Sequence, residues 1–261
     1  MLFRSVDPGS MTRAAQIVEE RTPDVLIFGM SFDFYRGGEM YRRWDCVYPE
    51  EAEYTSAELD AVYLKMFWAN SLSSSCNKLL KRNILWDNQI RYNENMMLME
   101  DLLFVVQALS HSKTVYLLPQ VIYRYFHSDE QSGENDNAVV RVSKIPNLEE
   151  YLRPINESLE SHPETMAAIY YMLLEQRLRY QKPREIKASA RNYCNSPYSK
   201  GVLYQFCPSS SKKTVDQLKQ KQYLSVYFHH RFRRKAVSIL RKTPLYTALK
   251  KLKEKQEALH G

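Results

Sequence analysis

The run Val25-Leu26-Ile27-Phe28, entered from Pro23 and continued in aromatic and β-branched company to Phe34, constrains the fold more than any other stretch. A strand with one solvated face alternates apolar and polar residues, and the start of this one does not. A continuous apolar strand belongs inside a sheet that is covered on both faces, which is the signature of an α/β architecture. Gly37-Gly38 marks a turn after it, and residues 40–47 read as a second, more exposed strand.

Helical patterns surround this pair. Residues 11–21 come after the start signals Pro8 and Ser10. Residues 55–72 carry Leu59, Val62, Tyr63, Met66 and Phe67 on one face, with Thr55 or Ser56 as cap. A basic amphipathic helix is expected after the serine cluster 73–75, and an apolar helix of about three turns over 102–109. Residues 113–126 read as two short strands separated by a turn at Pro119-Gln120. From residue 143 onward the pattern is helical: 146–160, and 163–179 with Met166, Ile169, Tyr170, Leu173 and Leu174 inward. The stretch 193–213 is less regular, and 208–213 reads as a linker. Trp68 and Trp86 are expected as core or half-buried anchors.

The 261 residues include 7 glycines and 44% apolar residues, in keeping with a packed, helix-rich protein. A formal charge of +7 calls for an anionic partner: a phosphate-bearing ligand, an anionic membrane or nucleic acid. That charge concentrates in 228–255, where ten Arg and Lys residues from Arg231 to Lys255 face Glu254 alone among interleaved Phe, Leu and Ile. Such a basic amphipathic pair of helices, broken at Thr243-Pro244, suits an anionic membrane surface. The plain alternative is a solvated basic face on a packed helix. No recognised nucleic-acid motif accompanies the charge, so nucleic acid is not expected. Cys46, Cys76, Cys194 and Cys207 lie far apart without metal spacing and read as reduced thiols in a cytosolic protein. No signal peptide and no membrane-spanning run is evident, which places the protein in the cytoplasm or on the membrane surface.

The chemistry-bearing element is Glu100-Asp101 ahead of the apolar run Leu102–Leu109. Acids in a first helical turn sit against the positive end of the helix dipole and stay ionised, as a general base requires. Alone, the pair is also what any helix start favours. Its context is an ordered set: Asn77-Lys78-Leu79 with Lys81-Arg82, then Ile90-Arg91-Tyr92-Asn93-Glu94, then Glu100-Asp101-Leu102-Leu103-Phe104, then Tyr123-Arg124-Tyr125.

Over roughly residues 6–135 this set resembles the acceptor half of bacterial family-2 glycosyltransferases of the GT-A fold, which build exopolysaccharide, capsule or lipopolysaccharide. The resemblance implies a partial GT-A, Rossmann-like α/β domain over 6–140, a helical extension over 141–207 and basic amphipathic helices over 208–261. It implies an inverting transfer from a nucleotide-sugar donor to a glycan or lipid-linked acceptor, with Asp101 as catalytic base. Glu100 would shape the acceptor pocket, and Asn77 and Lys78 would support the acceptor side. Arg124 would contact the donor diphosphate, and His127 is a candidate metal ligand. Most family members carry an aromatic residue where Cys76 stands.

Residues 1–5 are set aside as unlike a natural start, and Val6-Asp7-Pro8-Gly9-Ser10-Met11 resembles the segment directly after the family's Asp-x-Asp metal motif. On that likeness the chain lacks the nucleotide-binding half, and the Mg2+ or Mn2+ ligands lie outside it. The expectation is a truncated and inactive enzyme, peripheral on the inner face of the cell membrane. The alternative is a module that only binds a membrane or partner.

Overall fold

A computed structural model describes residues 4–6, 9–128, 142–200 and 202–240. Its centre is a six-stranded sheet. Strands β2 (Val25–Arg36) and β6 (Thr114–Ser128) run parallel through the middle. Beside their first halves lie β5 (Lys78–Leu80) on β2 and β4 (Ala52–Thr55) on β6, both antiparallel. Beside their second halves lie β3 (Glu39–Cys46) on β2 and β1 (Arg4–Val6) on β6, again antiparallel.

The apolar start of β2 is buried on both faces, as its composition requires. Val25 and Ile27 face the larger core with Val115 and Leu117, while Leu26 and Phe28 face a smaller one with Tyr116, Leu118 and Ile122. Helix α1 (Ser10–Arg21) closes the smaller core through Ala14 and Ile17. The two-residue period of a strand sends alternate side chains to opposite helical layers.

Several expectations about elements are corrected. The turn at Pro119-Gln120 is instead a bulge inside one continuous strand. Phe28 pairs with Leu118 and Gly29 with Val121, so the two residues between have no partner in the ladder. Proline has no N–H to give a ladder, and a bulge places it where none is needed. Gly29 makes room for this bulge: a Cβ there would lie 2.8 Å from Val47 Cγ2 and 3.0 Å from the Gln120 carbonyl oxygen.

The basic helix expected after the serine cluster 73–75 begins only at Arg82, as α4 (Arg82–Asp87); Lys78–Leu80 is drawn into the sheet by pairing with Val25–Ile27. The linker expected at 208–213 is the start of a helix, where Pro208 precedes the first turn and Ser211 N–H donates to its carbonyl at 2.8 Å.

The helix expected over 55–72 is broken into α2 (Ser56–Leu59), a 3-10 turn (Asp60–Val62) and α3 (Tyr63–Trp68). Its apolar stripe nevertheless stays inward, with Leu59, Val62, Tyr63, Met66 and Phe67 all buried. Helix α5 (Glu100–Ser110) lies in the same layer, with Leu102 to Val106 all buried.

The chain then becomes helical: α6 (Leu148–Tyr151), α7 (Arg153–Ser158), α8 (Pro163–Tyr180), α9 (Pro183–Cys194), a 3-10 turn (Val202–Phe206), α10 (Ser209–Lys219) and α11 (Tyr223–Leu240). The pattern over 146–160 divides into α6 and α7 at Leu152, because Pro154 cannot continue a helix that began before it. Met166, Ile169, Tyr170, Leu173 and Leu174 of α8 all join the core that covers β2 and α5. The result is an α/β fold with a largely helical C-terminal part.

Trp68 and Trp86 are not anchors: they are 56% and 65% exposed, and the Arg82 guanidinium lies 5.5 Å over the Trp86 ring. The four cysteines are free thiols. Among the described residues no helix is long and apolar enough to cross a membrane. Residues 241–261, including Thr243-Pro244 and most of the basic segment, lie outside the described residues, as do residues 129–141.

Candidate active site

The site forms where α5 starts. Met99, the residue before the helix, has φ 65° and ψ 12°, a left-handed conformation that costs a non-glycine residue about 1 kcal/mol. Neighbours hold it there. The Tyr151 hydroxyl accepts from Leu98 N–H and donates to Leu98 C=O, both at 2.8 Å. Met96 is buried, and Tyr92 stacks on Phe104 with ring centroids 4.4 Å apart and planes at 4°. This backbone turn swings Glu100 and Asp101 into the first turn of α5, where both remain half-buried.

Asp101 Oδ1 accepts a 3.0 Å hydrogen bond from Ser75 Oγ. The Tyr92 hydroxyl reaches the same serine. Burial raises the Tyr92 pKa; the Ser75 hydrogen bond opposes this, and the charges of Asp101, Cys76 and Glu100 add to it. Ser75, Tyr92, Glu100 and Asp101 therefore form one constellation, drawn from three separate segments.

Asn77 and Lys78 lie beneath it, 0% and 8% exposed. Asn77 Nδ2 donates to the Phe28 carbonyl at 2.9 Å, and the Asn77 carbonyl accepts from Phe28 N–H at 3.0 Å. Lys78 Nζ donates to the carbonyls of Ser71 (2.7 Å) and Ser74 and to Asn77 Oδ1 (2.8 Å). Burial pushes the Lys78 ammonium down to about 7, while the charges of Asp101 and Cys76 pull it upward. Three acceptors around one nitrogen match the three donors of the charged form. What the geometry gives this pair is support: it pins residues 71–77 to the sheet and so aims Ser75.

Arg124 and His127 stand on the extension of β6, apart from this constellation. Arg124 pairs in register with Ser31, and its Nη1 is 3.9 Å from Oδ2 of the fully buried Asp33, which also has Arg43 Nε at 3.8 Å. His127 stacks on Phe34 at 5.0 Å and lies near Phe32 and Tyr125, and burial lowers its pKa. Among the described residues no group of three or more His, Cys, Asp or Glu could hold a metal ion. No such group among the described residues includes His127.

Sequence reasoning did not single out Ser75, Tyr92 or Tyr151 as site residues. Ser75 stands two residues before Asn77 and Tyr92 directly after Arg91, both within recognised motifs, but only the fold brings them to Asp101.

No protein-family model matches this chain. No curated protein matches it either. Among solved structures, it is similar to S. aureus TarS 1–349 in complex with UDP-GlcNAc, at 16% identity and a TM-score of 0.52, covering 89% of this chain. A second TarS 1–349 structure, in complex with UDP, aligns at 16% identity over 89% of this chain with a TM-score of 0.49. The chain spans 65% of the length of the first of these structures and 64% of the second. At this identity the likeness shows a shared fold.

Proposed function

We propose that this chain carries the acceptor side of an inverting glycosyltransferase, with Asp101 as general base. The observation behind this reading is the Asp101 carboxylate itself: it sits in the first turn of a rigid buried helix, with one oxygen held by Ser75. The other oxygen is left to meet an acceptor hydroxyl. The similar structure TarS 1–349 binds UDP-GlcNAc, which makes a uridine-diphosphate sugar the donor class to test first.

In this mechanism Asp101 takes the proton from an acceptor hydroxyl as that oxygen attacks the anomeric carbon. The bond to the nucleoside diphosphate breaks on the opposite face, so the configuration inverts. The transition state is oxocarbenium-like, as in glycosidases. Glu100 shapes the acceptor pocket, and Tyr92 offers it an aromatic wall, since the residue is 47% exposed although its ring is stacked on Phe104. Asn77 and Lys78 hold the loop that carries Ser75. Arg124 is the residue proposed for the donor diphosphate. The Mg2+ or Mn2+ that the resemblance implies would take Asp-x-Asp ligands other than these residues and would offset the diphosphate charge. The acceptor is a glycan or lipid-linked oligosaccharide of the cell surface, and the enzyme works at the inner face of the membrane.

Asp101→Asn tests the chemistry. In the intact protein it should abolish sugar transfer from UDP-GlcNAc while leaving the circular dichroism and melting temperature unchanged. Transfer at the original rate would remove Asp101 from its role. A protein that transfers nothing in either form but still binds vesicles would be the binding module of the alternative reading.

A further inference from the structure

Helix α11 has two unlike faces. Val226 and His230, four residues apart, are 0% and 2% exposed, and His230 Nε2 lies 3.6 Å from Glu175 Oε2 on α8. On the other side Leu224, Phe228 and Phe232, also spaced by four, are 61%, 63% and 77% exposed. Residues at that spacing share one face of a helix, so the three make a continuous apolar stripe turned away from the core.

Cations rim the stripe. Arg231 stands beside it with its guanidinium 5.6 Å over the Tyr227 ring, and Lys213 faces it from α10. Between the two helices is a cavity of about 620 Å3, lined among others by Lys213, Ser225, Phe228, Arg231 and Phe232. Gln217, also on its wall, donates through Nε2 to Ser225 Oγ at 2.7 Å, while its Oε1 is buried without a partner.

We propose that α10 and α11 form an interfacial docking surface for anionic phospholipid. Leu224, Phe228 and Phe232 enter the boundary between headgroups and acyl chains. Lys213 and Arg231 take headgroup phosphates. An apolar stripe with a cationic rim matches the two layers a bilayer presents at its surface, apolar below and anionic above. A solvated helix face accounts for the cations but leaves three large apolar side chains in water, and a purely apolar protein partner leaves the cations unmatched. The inference deepens the membrane placement proposed above and rests on it; it does not depend on the role of Asp101.

The test is sedimentation of the full chain with phosphatidylglycerol-containing vesicles and with pure phosphatidylcholine vesicles. The wild type should bind the first and not the second, and raised salt should release it. The triple variant Leu224→Ser/Phe228→Ser/Phe232→Ser should bind at least about tenfold more weakly, and the double variant Lys213→Glu/Arg231→Glu likewise, with unchanged melting temperatures. Wild-type affinity in the triple variant would overturn this surface while leaving the membrane placement standing. No binding by the wild type would overturn both. Equal binding to both vesicle types would overturn the assignment of phosphates to Lys213 and Arg231. Carried in the intact protein, the same substitutions should leave transfer to a soluble acceptor unchanged, which separates this surface from the chemistry at Asp101.

Discussion

Ser75 Oγ donates to Asp101 Oδ1 across 3.0 Å, joining positions 26 residues apart in the chain. The serine itself hangs on a loop pinned by Asn77 to Phe28 and by Lys78 to Ser71 and Ser74. The carboxylate orientation is thus inherited from the sheet, through a chain of buried hydrogen bonds. Ser75→Ala should leave the fold intact and lower kcat by about ten- to a hundredfold, because a hydrogen bond to a charged group is worth about 1.5–3 kcal/mol. Steady-state kinetics on a folded variant checks this; an unchanged kcat would show that the serine does not orient the base.

Tyr92 lies beside the same carboxylate, stacked on Phe104. If it forms the wall of the acceptor pocket, Tyr92→Ala should raise the acceptor KM several-fold to about tenfold, the range expected for loss of one aromatic contact of about 0.5–1.5 kcal/mol. The donor KM should stay the same. An equal rise in both constants would place Tyr92 outside acceptor recognition.

The left-handed Met99 offers a test of strain at the helix start. Met99→Ala and Met99→Gly both lose the packing of the side chain against the core. Only glycine also relieves the backbone, so the Gly variant should be the more stable of the two by about 1 kcal/mol, the reverse of their order inside a helix. Urea denaturation of the pair reads this directly, and an Ala variant at least as stable would mean that position 99 is unstrained.

Gly29→Ala should destabilise by about 1–3 kcal/mol, as expected when a group is forced into a packed site. The added Cβ would meet Val47 Cγ2 at 2.8 Å and the Gln120 carbonyl oxygen at 3.0 Å, and the carbonyl belongs to backbone that the bulge has already fixed. A variant as stable as the wild type would show that the bulge can give way.

Asp24 gives a pH dependence. It sits where β2, β5 and β6 meet, with its carboxylate accepting from Lys81 Nζ at 2.8 Å and from Lys113 N–H at 2.7 Å. Burial raises its pKa, but the hydrogen bonds and charge of Lys81, with the N–H groups of Lys113 and Thr114, outweigh it and leave the pKa below 3.8. A carboxylate with a depressed pKa in the folded state stabilises fully above its unfolded value and loses that contribution as pH falls through the folded one. Asp24→Asn should therefore cost no more than about 1 kcal/mol at neutral pH, since solvent screens the exposed Lys81 partner, and the gap to the wild type should close in acid below pH 3.8. A gap that is constant with pH would assign the effect to geometry and not to charge.

The sequence by itself determined the elements whose signal is local. The unbroken apolar start of β2 required a sheet buried on both faces, and the i, i+3, i+4 stripes over 55–72 and of α8 named their buried sides correctly, because periodicity is set by the geometry of one element. Glu100 and Asp101 were legible as acids at the start of a helix for the same reason.

The features that depend on partners distant in the chain were decided by the tertiary structure. Lys78–Leu80 became a strand because β2 offers it a ladder, and Pro119-Gln120 became a bulge because β6 had to stay paired with β2 on either side of it. Trp68 and Trp86 were left on the surface although a large aromatic side chain suits a core. Ser75 and Tyr92 acquired their place beside Asp101, and Tyr151 its hold on Leu98, only when three segments closed on one another. Hydrogen bonds and close packing act over a few ångströms, and which residues come that near is a property of the fold.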